Sequence, residues 1–307
     1  METRTAMPRS SAAFEALATS MRGALKRHCY RMMGGLQDAE DCVQETLLRG
    51  WREFAGLRDG MAAQPWLYTI ATRVCLDALR TRRRRQRLFG PSLEEIEPGT
   101  EPWVEPWPGA DDLGGAERGH SLRLAFVSLL QGLSPRSRAV LLLHDLVGMS
   151  VEEAGEALGL SLASARSALQ RARAALPAAK EAPVAELPVE AYVNAWRSGD
   201  VHALIGLLHR DIVLTMPPWQ RTFRGRDEVS RFMVAVWPRY EAFEVIATMA
   251  NGQPAIALYA KRDGGPFMAH SLHVLSGAGL FDEIVLYAPP LGAQLISAFG
   301  LPLELTK

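Results

Sequence analysis

The sequence predicts a multidomain protein with two all-α domains, the second containing a helix-turn-helix, followed by an α+β domain. Three observations predict this division. The 307 residues are too many for one ordinary domain. Apolar residues recur at helical spacing up to about residue 177, whereas alternating runs typical of strands begin only after residue 210. An acidic stretch rich in Pro and Gly over 90–120, and a Pro-containing boundary near 183–188, divide the chain.

Charge is arranged in blocks, although the formal net charge of the whole chain is zero. Residues 1–89 carry sixteen Lys and Arg against nine Asp and Glu, and residues 90–120 carry one against eight. Residues 121–180 are basic again, with seven against four. Basic blocks of this kind favour a nucleic-acid partner, and the acidic stretch between them indicates an extended, flexible linker rather than a packed element.

Several classes of protein do not fit the sequence. The N-terminus lacks the continuous apolar stretch of a signal peptide, and no run of about 18 apolar residues is present that could span a membrane. The three cysteines, Cys29, Cys42 and Cys75, lie in apolar helical patterns and form no CxxC pair. We therefore expect buried free thiols in a cytoplasmic protein, with no metal, no cofactor and no membrane partner.

The first domain is predicted over residues 12–89 as three helices. The first helix covers 13–33, and the second begins near Asp38, whose side chain can cap its first turn. The third helix runs from Trp66 to about residue 87, after a loop over 56–65. The second helix is expected to turn one face inward, formed by Ala39, Cys42, Val43, Thr46, Leu47 and Trp51.

The third helix ends in an arginine cluster that indicates contact with a nucleic-acid backbone. The cluster places six arginines in eight positions, more than the favourable dipole at a helix end requires. Upstream on the same helix, Trp66 and Tyr68 accompany Arg73, and aromatic rings beside basic groups can stack on unpaired bases. Core packing is an equal alternative for Trp66. The cluster comprises Arg80, Arg82, Arg83, Arg84, Arg85 and Arg87.

The second domain, predicted over 121–178, contains the helix-turn-helix pattern. Ser150 and Glu153 form a capping box before one short helix, and Ser161 caps the next helix after a glycine-containing turn. The second helix of this motif lies in the DNA major groove, whereas the alternative is a helical hairpin with solvated arginines. The residues expected to face DNA are Ser161, Ser164, Arg166, Ser167, Gln170, Arg171 and Arg173.

Three segments together resemble the extracytoplasmic-function (ECF) class of sigma-70-type transcription initiation factors. They are DAEDCVQETLLRGWREF at 38–54, QPWLYTIATRVCLDALRTRRRR at 64–85, and LSPRSRAVLLLHDLVGMSVEEAGEALGLSLASARSALQRARAAL at 133–176. They occur in the order and spacing of that family, and the resemblance covers about residues 12–177.

The resemblance implies that the chain binds the largest and second-largest subunits of core RNA polymerase and directs initiation at promoter DNA. The first domain then contacts the −10 element, the linker over 90–120 passes through a channel of the polymerase, and the second domain reads the −35 element. The loop over 56–65 is expected to hold a flipped base. The implied polymerase-binding residues are Asp38, Glu40, Asp41, Gln44, Glu45, Leu48, Arg49 and Trp51. The implied −10 contacts are Arg58, Asp59, Trp66, Tyr68, Arg73, Arg80, Arg82, Arg83, Arg84 and Arg85.

Residues 187–290 resemble the SnoaL-like fold, a curved sheet covered by helices, and residues 291–307 are expected to form a C-terminal tail. The order of predicted elements and the segment FRGRDEV at 223–229 support this resemblance, and a subclass of ECF factors carries such a domain. It implies a pocket, with core packing as the alternative for each candidate: Met216, Trp219, Phe232, Trp237, Tyr259, His270 and His273. The two histidines are three positions apart and are expected on opposite faces of a strand.

Two other functions stay open beside that of a sigma factor whose last domain modulates activity in cis. One alternative is a DNA-binding regulator that does not engage polymerase. The other is a SnoaL-type enzyme fused to a sigma-like module. The helix over 38–54, together with the helix that ends in the arginine cluster, argues against the first alternative. The sequence shows no nucleophile motif or paired carboxylates that would indicate catalysis, so we expect no enzymatic activity. A small ligand or a separate anti-sigma factor is a further open partner.

Overall fold

The computed structural model describes residues 11–56, 62–89, 103–109, 123–176, 186–219 and 221–306. These residues form two compact units. The helical unit contains the described residues up to Val104 and those from Ala125 to 176, and the tail unit contains the others. None of the helices formed by the described residues is both long and apolar enough to cross a membrane.

The first half of the helical unit is a bundle of three helices around an apolar centre. Gly34 makes the turn between the first two helices at a φ of +79°, a region that glycine adopts freely. The second helix begins at Leu36, slightly before the predicted start, so the Asp38 carboxylate lies in the first turn, where the helix dipole favours it. The helices are α1 (Ser11–Met33), α2 (Leu36–Glu53) and α3 (Ala63–Phe89), with a short 3-10 turn at Phe54–Gly56.

The second half of the helical unit contains four short helices, and serine side chains fix the start of three of them. Ser134 and Ser161 each accept a backbone N–H of the first turn that follows. Ser150 and Glu153 form the predicted capping box, in which each side chain bonds the backbone N–H of the other residue. These helices are α4 (Leu124–Gly132), α5 (Pro135–Asp145), α6 (Val151–Ala157) and α7 (Leu162–Ala175), of which α6 and α7 form the helix-turn-helix.

The tail unit is built on one seven-stranded sheet. Six strands lie in the order β2-β1-β6-β5-β4-β3, and β7 pairs with β5. All pairs are antiparallel except β1 with β6. The strands are β1 (Leu208–Thr215), β2 (Thr222–Arg224), β3 (Ala242–Ala250), β4 (Gln253–Lys261), β5 (Phe267–Ala278), β6 (Leu280–Tyr287) and β7 (Glu304–Leu305). The helices are α8 (Val189–Ser198), α9 (Val201–Gly206), α10 (Arg226–Val236) and α11 (Leu291–Ala298), with a 3-10 turn at Trp237–Arg239.

Both faces of this sheet are covered. Side chains alternate along a strand, so Ile256 and Leu258 of β4 belong to the main apolar core, whereas Tyr259 between Leu258 and Ala260 points to the other face. Helix α11 packs closely on β5: a Cβ at Gly292 would lie 2.5 Å from the backbone oxygen of His270, so only glycine fits there. Helix α11 and strands β2 and β7 were not predicted, because they are short or lie in the expected C-terminal tail.

Part of the predicted linker pairs with the tail unit. The backbone N–H of Trp107 donates to Oδ1 of Asn251 at 2.7 Å, and the N–H of Asn251 donates to the Trp107 carbonyl at 2.8 Å. The N–H of Gly109 donates to the Met249 carbonyl at 2.9 Å. We call residues 105–109 the strap. The expectation of an unpacked linker is wrong for the strap, because the turn between β3 and β4 offers it backbone and amide partners.

Candidate nucleic-acid interface and buried polar networks

The basic end of α3 presents a positive surface. All described arginines of the run 80–85 are exposed, and the first two pair with carboxylates at 2.5 and 3.5 Å. Among the described residues, no ion pair engages Arg83, Arg84 or Arg85. Three solvated cations at successive positions attract a phosphate backbone. The predicted contacts Arg58 and Asp59 lie outside the described residues, as does the side chain of Arg87.

Helix α2 displays two large apolar side chains to solvent. Leu48 is 52% exposed and Trp51 is 58% exposed. The expectation that Trp51 turns inward is therefore wrong, because the helical period places it beside Leu48 on the outer face. Such a patch on a helix is typical of a protein-binding surface.

Charged and polar groups surround this patch on α2. Arg49 donates to Glu45 Oε1 at 2.6 Å and lies 3.5 Å from Asp77 Oδ2. Partial burial raises the pKa of Glu40, but the hydrogen bonds and charges of Lys26 and Arg22 outweigh it and hold that pKa below its ordinary value. Of the remaining predicted polymerase contacts, two are exposed and one is half-buried: Asp41 and Gln44, and Asp38.

The N-terminal half of α3 faces the helix-turn-helix. Tyr68 packs against an apolar cluster of α5, α6 and the turn between them that includes Leu143 and Met149. Nε of Arg73 donates to the carbonyl of Ala157, the last residue of α6, at 2.7 Å. A cleft of about 630 Å³ lies beside these contacts and is lined by Trp66. Three predicted −10 side chains are thus turned toward the domain predicted to read the −35 element.

A buried histidine ties α1 to α3. Nε2 of His28 lies 2.8 Å from Oγ1 of Thr72, and that hydroxyl donates to the carbonyl of Tyr68 at 2.7 Å. The single hydroxyl proton of Thr72 is therefore used, so Nε2 of His28 is the donor to it. Burial, with a smaller contribution from Arg31, lowers the pKa of His28 to about 3, so its ring is neutral.

A buried arginine joins the two halves of the helical unit. Arg138, at the start of α5, is 3% exposed and donates to the Met32 carbonyl in the last turn of α1 and to the side chain of Gln131. It also donates to two carbonyls at the end of α4, at 2.9 and 3.2 Å. Burial lowers the pKa of Arg138 to about 10, so its side chain remains charged at neutral pH. This positive charge is attracted to the negative C-terminal ends of the α1 and α4 dipoles.

Helix α7 presents its predicted DNA-facing residues to solvent. All seven are exposed, whereas Ala165 and Leu169 on the opposite face are buried. Arg166 lies 3.2 Å from Glu152, and Arg173 lies 2.6 Å from Asp145. The Arg166–Glu152 pair is exposed on both sides, and such pairs contribute little to stability, so Arg166 can exchange this partner for a phosphate. The seven are Ser161, Ser164, Arg166, Ser167, Gln170, Arg171 and Arg173.

The predicted pocket residues of the tail unit do not gather around one cavity. Trp237 stacks on Trp196 with ring centroids 4.4 Å apart, and Phe232, like Met216, packs against the main core. Trp219 is 56% exposed. The hydroxyl of Tyr259 donates to the Pro302 carbonyl at 2.8 Å, on the face of the sheet away from the main core.

His270 and His273 belong to one continuous chain of hydrogen bonds, contrary to the expectation that they lie on opposite faces. The β4–β5 pairing shifts register at this point, so His270 is the extra residue of a β-bulge and is re-aimed toward Ser271. The Ser271 hydroxyl lies 2.9 Å from His273 Nε2 and 3.2 Å from His270 Nδ1. At the two ends, the hydroxyl of Tyr192 lies 3.1 Å from His273 Nδ1 and that of Tyr240 lies 2.7 Å from His270 Nε2.

We call these five side chains the relay, and its two histidines are neutral. Burial, then the neighbouring His270, lowers the pKa of His273 to about 3, and burial with the Arg262 charge lowers that of His270 to about 4. Burial raises the pKa of Tyr192. Because Ser271 has one hydroxyl proton, it donates to one imidazole and accepts from the other, which orders the whole relay in one direction.

Three family models match the chain in the order that these structures follow. Residues 17–85 match sigma-70 region 2, and residues 123–176 match sigma-70 region 4. Residues 189–276 match a SnoaL-like domain. The first two models cover α1–α3 and the helices through α7, and the third covers most of the tail unit.

Named proteins are similar to this chain over most of its length. The ECF RNA polymerase sigma factor SigG of Mycobacterium tuberculosis (strain CDC 1551 / Oshkosh) is 37% identical, over 94% of this chain and 84% of its own. SigJ of Mycobacterium tuberculosis (strain ATCC 25618 / H37Rv) is 33% identical, over 71% and 72% of the two chains. The crystal structure of Mycobacterium tuberculosis SigJ superposes with a TM-score of 0.65 at 26% identity, over 94% of this chain and 99% of that one. The chain described here belongs to the ECF family of RNA polymerase sigma factors.

Proposed function

We propose that this protein binds core RNA polymerase and directs initiation at specific promoters. The observation that carries the proposal is a set of three exposed surfaces on the helical unit, one on each of α2, α3 and α7. The exposed Leu48 and Trp51 offer α2 to a protein partner, the run 80–85 offers α3 to a phosphate backbone, and α7 offers a polar face to the major groove. A DNA-binding regulator that does not engage polymerase has no use for the apolar patch on α2.

We call the helical unit closed when Tyr68 and Arg73 of α3 pack against α5 and α6, as they do in this structure. This closed arrangement opens before promoter binding. The −10 and −35 elements lie about 25 base pairs apart, or about 85 Å along B-DNA at about 3.4 Å per base pair. A compact body of about 150 residues has a diameter of only about 40 Å. Tyr68 and Arg73 cannot contact the −10 element while they pack against α5 and α6. We therefore place the closed arrangement before engagement of polymerase and DNA.

We further propose that the tail unit modulates activity by holding the linker. Asn251 bonds the strap, and the side chain of Gln253 accepts the N–H of Leu124 at 2.9 Å, so both ends of the segment between Gly109 and Leu124 are fastened to one turn. The family resemblance implies that this linker passes through a channel of the polymerase. A linker bonded to the tail unit is withheld from that channel.

Run-off transcription with core RNA polymerase on a genomic fragment library tests both proposals. The informative variant is Asn251→Gly, because Asn251 has a φ of +55° that glycine tolerates, while the strap loses its side-chain acceptor. Asp263→Gly is the matched control, since Asp263 also has a positive φ, at +52°, in the turn after β4, and is exposed. We expect specific starts from the unaltered chain and more transcript from Asn251→Gly alone.

The outcomes separate the two proposals. An absence of specific starts from every form, with no binding to core polymerase, contradicts the sigma-factor function. Specific starts that are equally strong in Asn251→Gly, Asp263→Gly and the unaltered chain leave that function intact and contradict control through the strap. Deleting residues 184–307 is a coarser comparison, because it removes the partner of the strap together with the tail unit.

We propose that the tail unit has no catalytic role, although some proteins of its fold class are enzymes. The best candidate groups are the relay histidines, and their pKa values of about 3 and 4 are far below the neutral range that suits a general base. Ser271 is buried and bonded on both sides. Turnover of a small molecule by the full chain, lost in Ser271→Ala, would contradict this assignment.

A further inference from the structure

The last turn of α1 has carbonyl groups that are bonded from outside the helix. In any α-helix the last four backbone carbonyls lack a partner within the helix. One of them accepts the N–H of Gly34 in the turn that follows. The Arg31 carbonyl accepts from Nε2 of Gln131 at 3.0 Å. The Met32 carbonyl accepts from the guanidinium of Arg138. Two side chains of the second half of the helical unit therefore cap the end of α1, in the first half.

These two capping side chains are held in place by the second half itself. The guanidinium of Arg138 also donates to Oε1 of Gln131, to the Gln131 carbonyl at 2.9 Å and to the Leu133 carbonyl at 3.2 Å. These three bonds lie within the second half, whereas the bond to Met32 crosses to the first half. Because the donors are already ordered, closing the two halves on each other costs little additional side-chain entropy.

The fit between the two halves at this point is close. A Cβ at Gly34, in the turn after α1, would lie 3.1 Å from Cδ of Gln131, which is nearer than an ordinary van der Waals contact. Arg138 and Met32 are both buried. The bonds across this joint nevertheless end on backbone carbonyls, and water can take the place of each donor when the halves separate. The joint is therefore specific when closed and can open without leaving a polar group unpaired.

We propose that Gln131 and Arg138 form a latch that sets the fraction of molecules in the closed arrangement, and that this fraction limits engagement of polymerase and promoter DNA. The second part rests on the proposed function, whereas the latch itself does not. A protein whose competent state is only partly populated binds its partner with an affinity reduced by that fraction. A weaker latch should therefore lower the concentration of factor needed for transcription and leave the maximum unchanged.

The substitution Gln131→Glu isolates the contact between the halves. The carboxylate has the size of the amide and keeps an acceptor for Arg138, but it loses the donor to the Arg31 carbonyl. Two oxygens then face each other at the negative end of the α1 dipole, which disfavours closure. Gln131→Met removes the same donor without adding charge, and should also open the unit. Gln294→Glu, at an exposed position of α11 in the tail unit, is the matched control for charge.

Single-molecule fluorescence energy transfer measures the open fraction in the free full chain. The dyes are attached at Arg52→Cys on α2 and Ala174→Cys on α7, two exposed positions in different halves, while the three native cysteines are buried as predicted. We expect the low-transfer population to be about tenfold larger in Gln131→Glu, the effect of losing one buried hydrogen bond and leaving its acceptor opposed by a carboxylate. Circular dichroism of the same samples distinguishes opening from unfolding.

Run-off transcription with core polymerase, over a range of factor concentrations, tests the consequence. The half-maximal concentration should fall by the same factor in Gln131→Glu and stay unchanged in Gln294→Glu, with equal maxima. Equal energy transfer in these two variants overturns the latch. A larger open fraction with an unchanged half-maximal concentration overturns the control of engagement by closure. Energy transfer needs no polymerase, so an absence of transcripts from every form contradicts the proposed function while fluorescence still decides the latch.

Discussion

The helical unit and the tail unit place their polar side chains in opposite ways. The helical unit leaves Arg83, Arg84 and Arg85 in solvent, with no ion-pair partner among the described residues. The tail unit encloses the relay, where each hydroxyl or ring nitrogen has a partner within the same unit. Unpaired surface cations indicate a partner outside the chain, whereas a closed buried network indicates a group that shapes its own domain. The difference leads us to expect DNA contact at the surface of the helical unit and a stabilising role for the relay inside the tail unit.

The largest expected effect comes from reversing charge in the helical unit. Arg83→Glu with Arg84→Glu should lower the promoter affinity of the holoenzyme by about two orders of magnitude at about 50 mM salt, because each lost phosphate contact removes about 0.9 from the slope of log affinity against log salt. The slope of log affinity against log salt should itself become shallower by about 1.8, which corresponds to two lost phosphate contacts. Affinity is measured by fluorescence anisotropy across a salt series.

The control for this prediction lies in the other unit. Arg221→Glu with Arg224→Glu changes net charge equally at two exposed arginines of the tail unit, and we expect promoter affinity close to that of the unaltered chain. A salt slope unchanged by the reversal at 83 and 84 would show that these arginines do not touch DNA. Equal losses from both double variants would show that net charge, rather than the surface of α3, determines binding.

The second-largest effect is expected from a substitution that breaks the relay of the tail unit. His273→Leu removes one hydrogen-bond partner from each of the buried hydroxyls of Tyr192 and Ser271, while Ser271 keeps its contact with His270, and this loss should cost about 2–3 kcal/mol of unfolding free energy. Hydrogen exchange should accelerate in β4–β6 and stay unchanged in α1–α3. His202→Leu, at an exposed position of α9, is the control. Stability equal to that of the control would mean that the relay contributes nothing.

Local patterns predicted one part of this molecule well. Ser150 with Glu153, and Ser161, cap the helices they were expected to cap, because a cap and its partners lie within one turn of the chain. The alternating runs of the tail likewise predicted β3–β6, and the exposed face of α7 followed from its helical period. Helices and strands that bury one continuous face are readable from sequence.

The features that were missed depend on distant partners. Arg138 reaches Met32 across 106 positions, so nothing near it in the sequence marks it as the joint of the helical unit. His270 leaves the strand alternation because of how β5 pairs with β4, and a bulge is a property of the pair. Trp51 was predicted on the inner face because it is apolar and follows Leu47 by four positions, but its ring lies on the exposed face of α2. The strap was missed because its Pro-rich composition is that of an unpacked segment.

The smallest expected effect is the loss of unfolding free energy in acid, which should differ between the two units. The ordinary pKa of histidine is 6.5, and burial lowers it to about 3 for His273 and His28 and to about 4 for His270. As pH falls below about 6.5 the unfolded chain takes up these protons and the folded chain does not, so the unfolding free energy falls by about 1.4 kcal/mol per pH unit for each histidine. At about pH 5 each of these histidines has therefore lowered the unfolding free energy by about 2 kcal/mol. The tail unit contains two of the three, so acid should destabilise it more than the helical unit.

His273→Leu also sharpens this comparison, because the variant has one buried histidine fewer. Urea unfolding of the unaltered chain, of His273→Leu and of His202→Leu is measured at about pH 7 and about pH 5, and the acid-induced loss should be smaller by about 2 kcal/mol in His273→Leu only. Glu283 acts in the opposite sense, since burial raises its pKa and its protonation favours the folded state as pH falls, but it is present in all three proteins and cancels in the difference. The same acid-induced loss in all three proteins would mean that His273 is not held neutral by the fold.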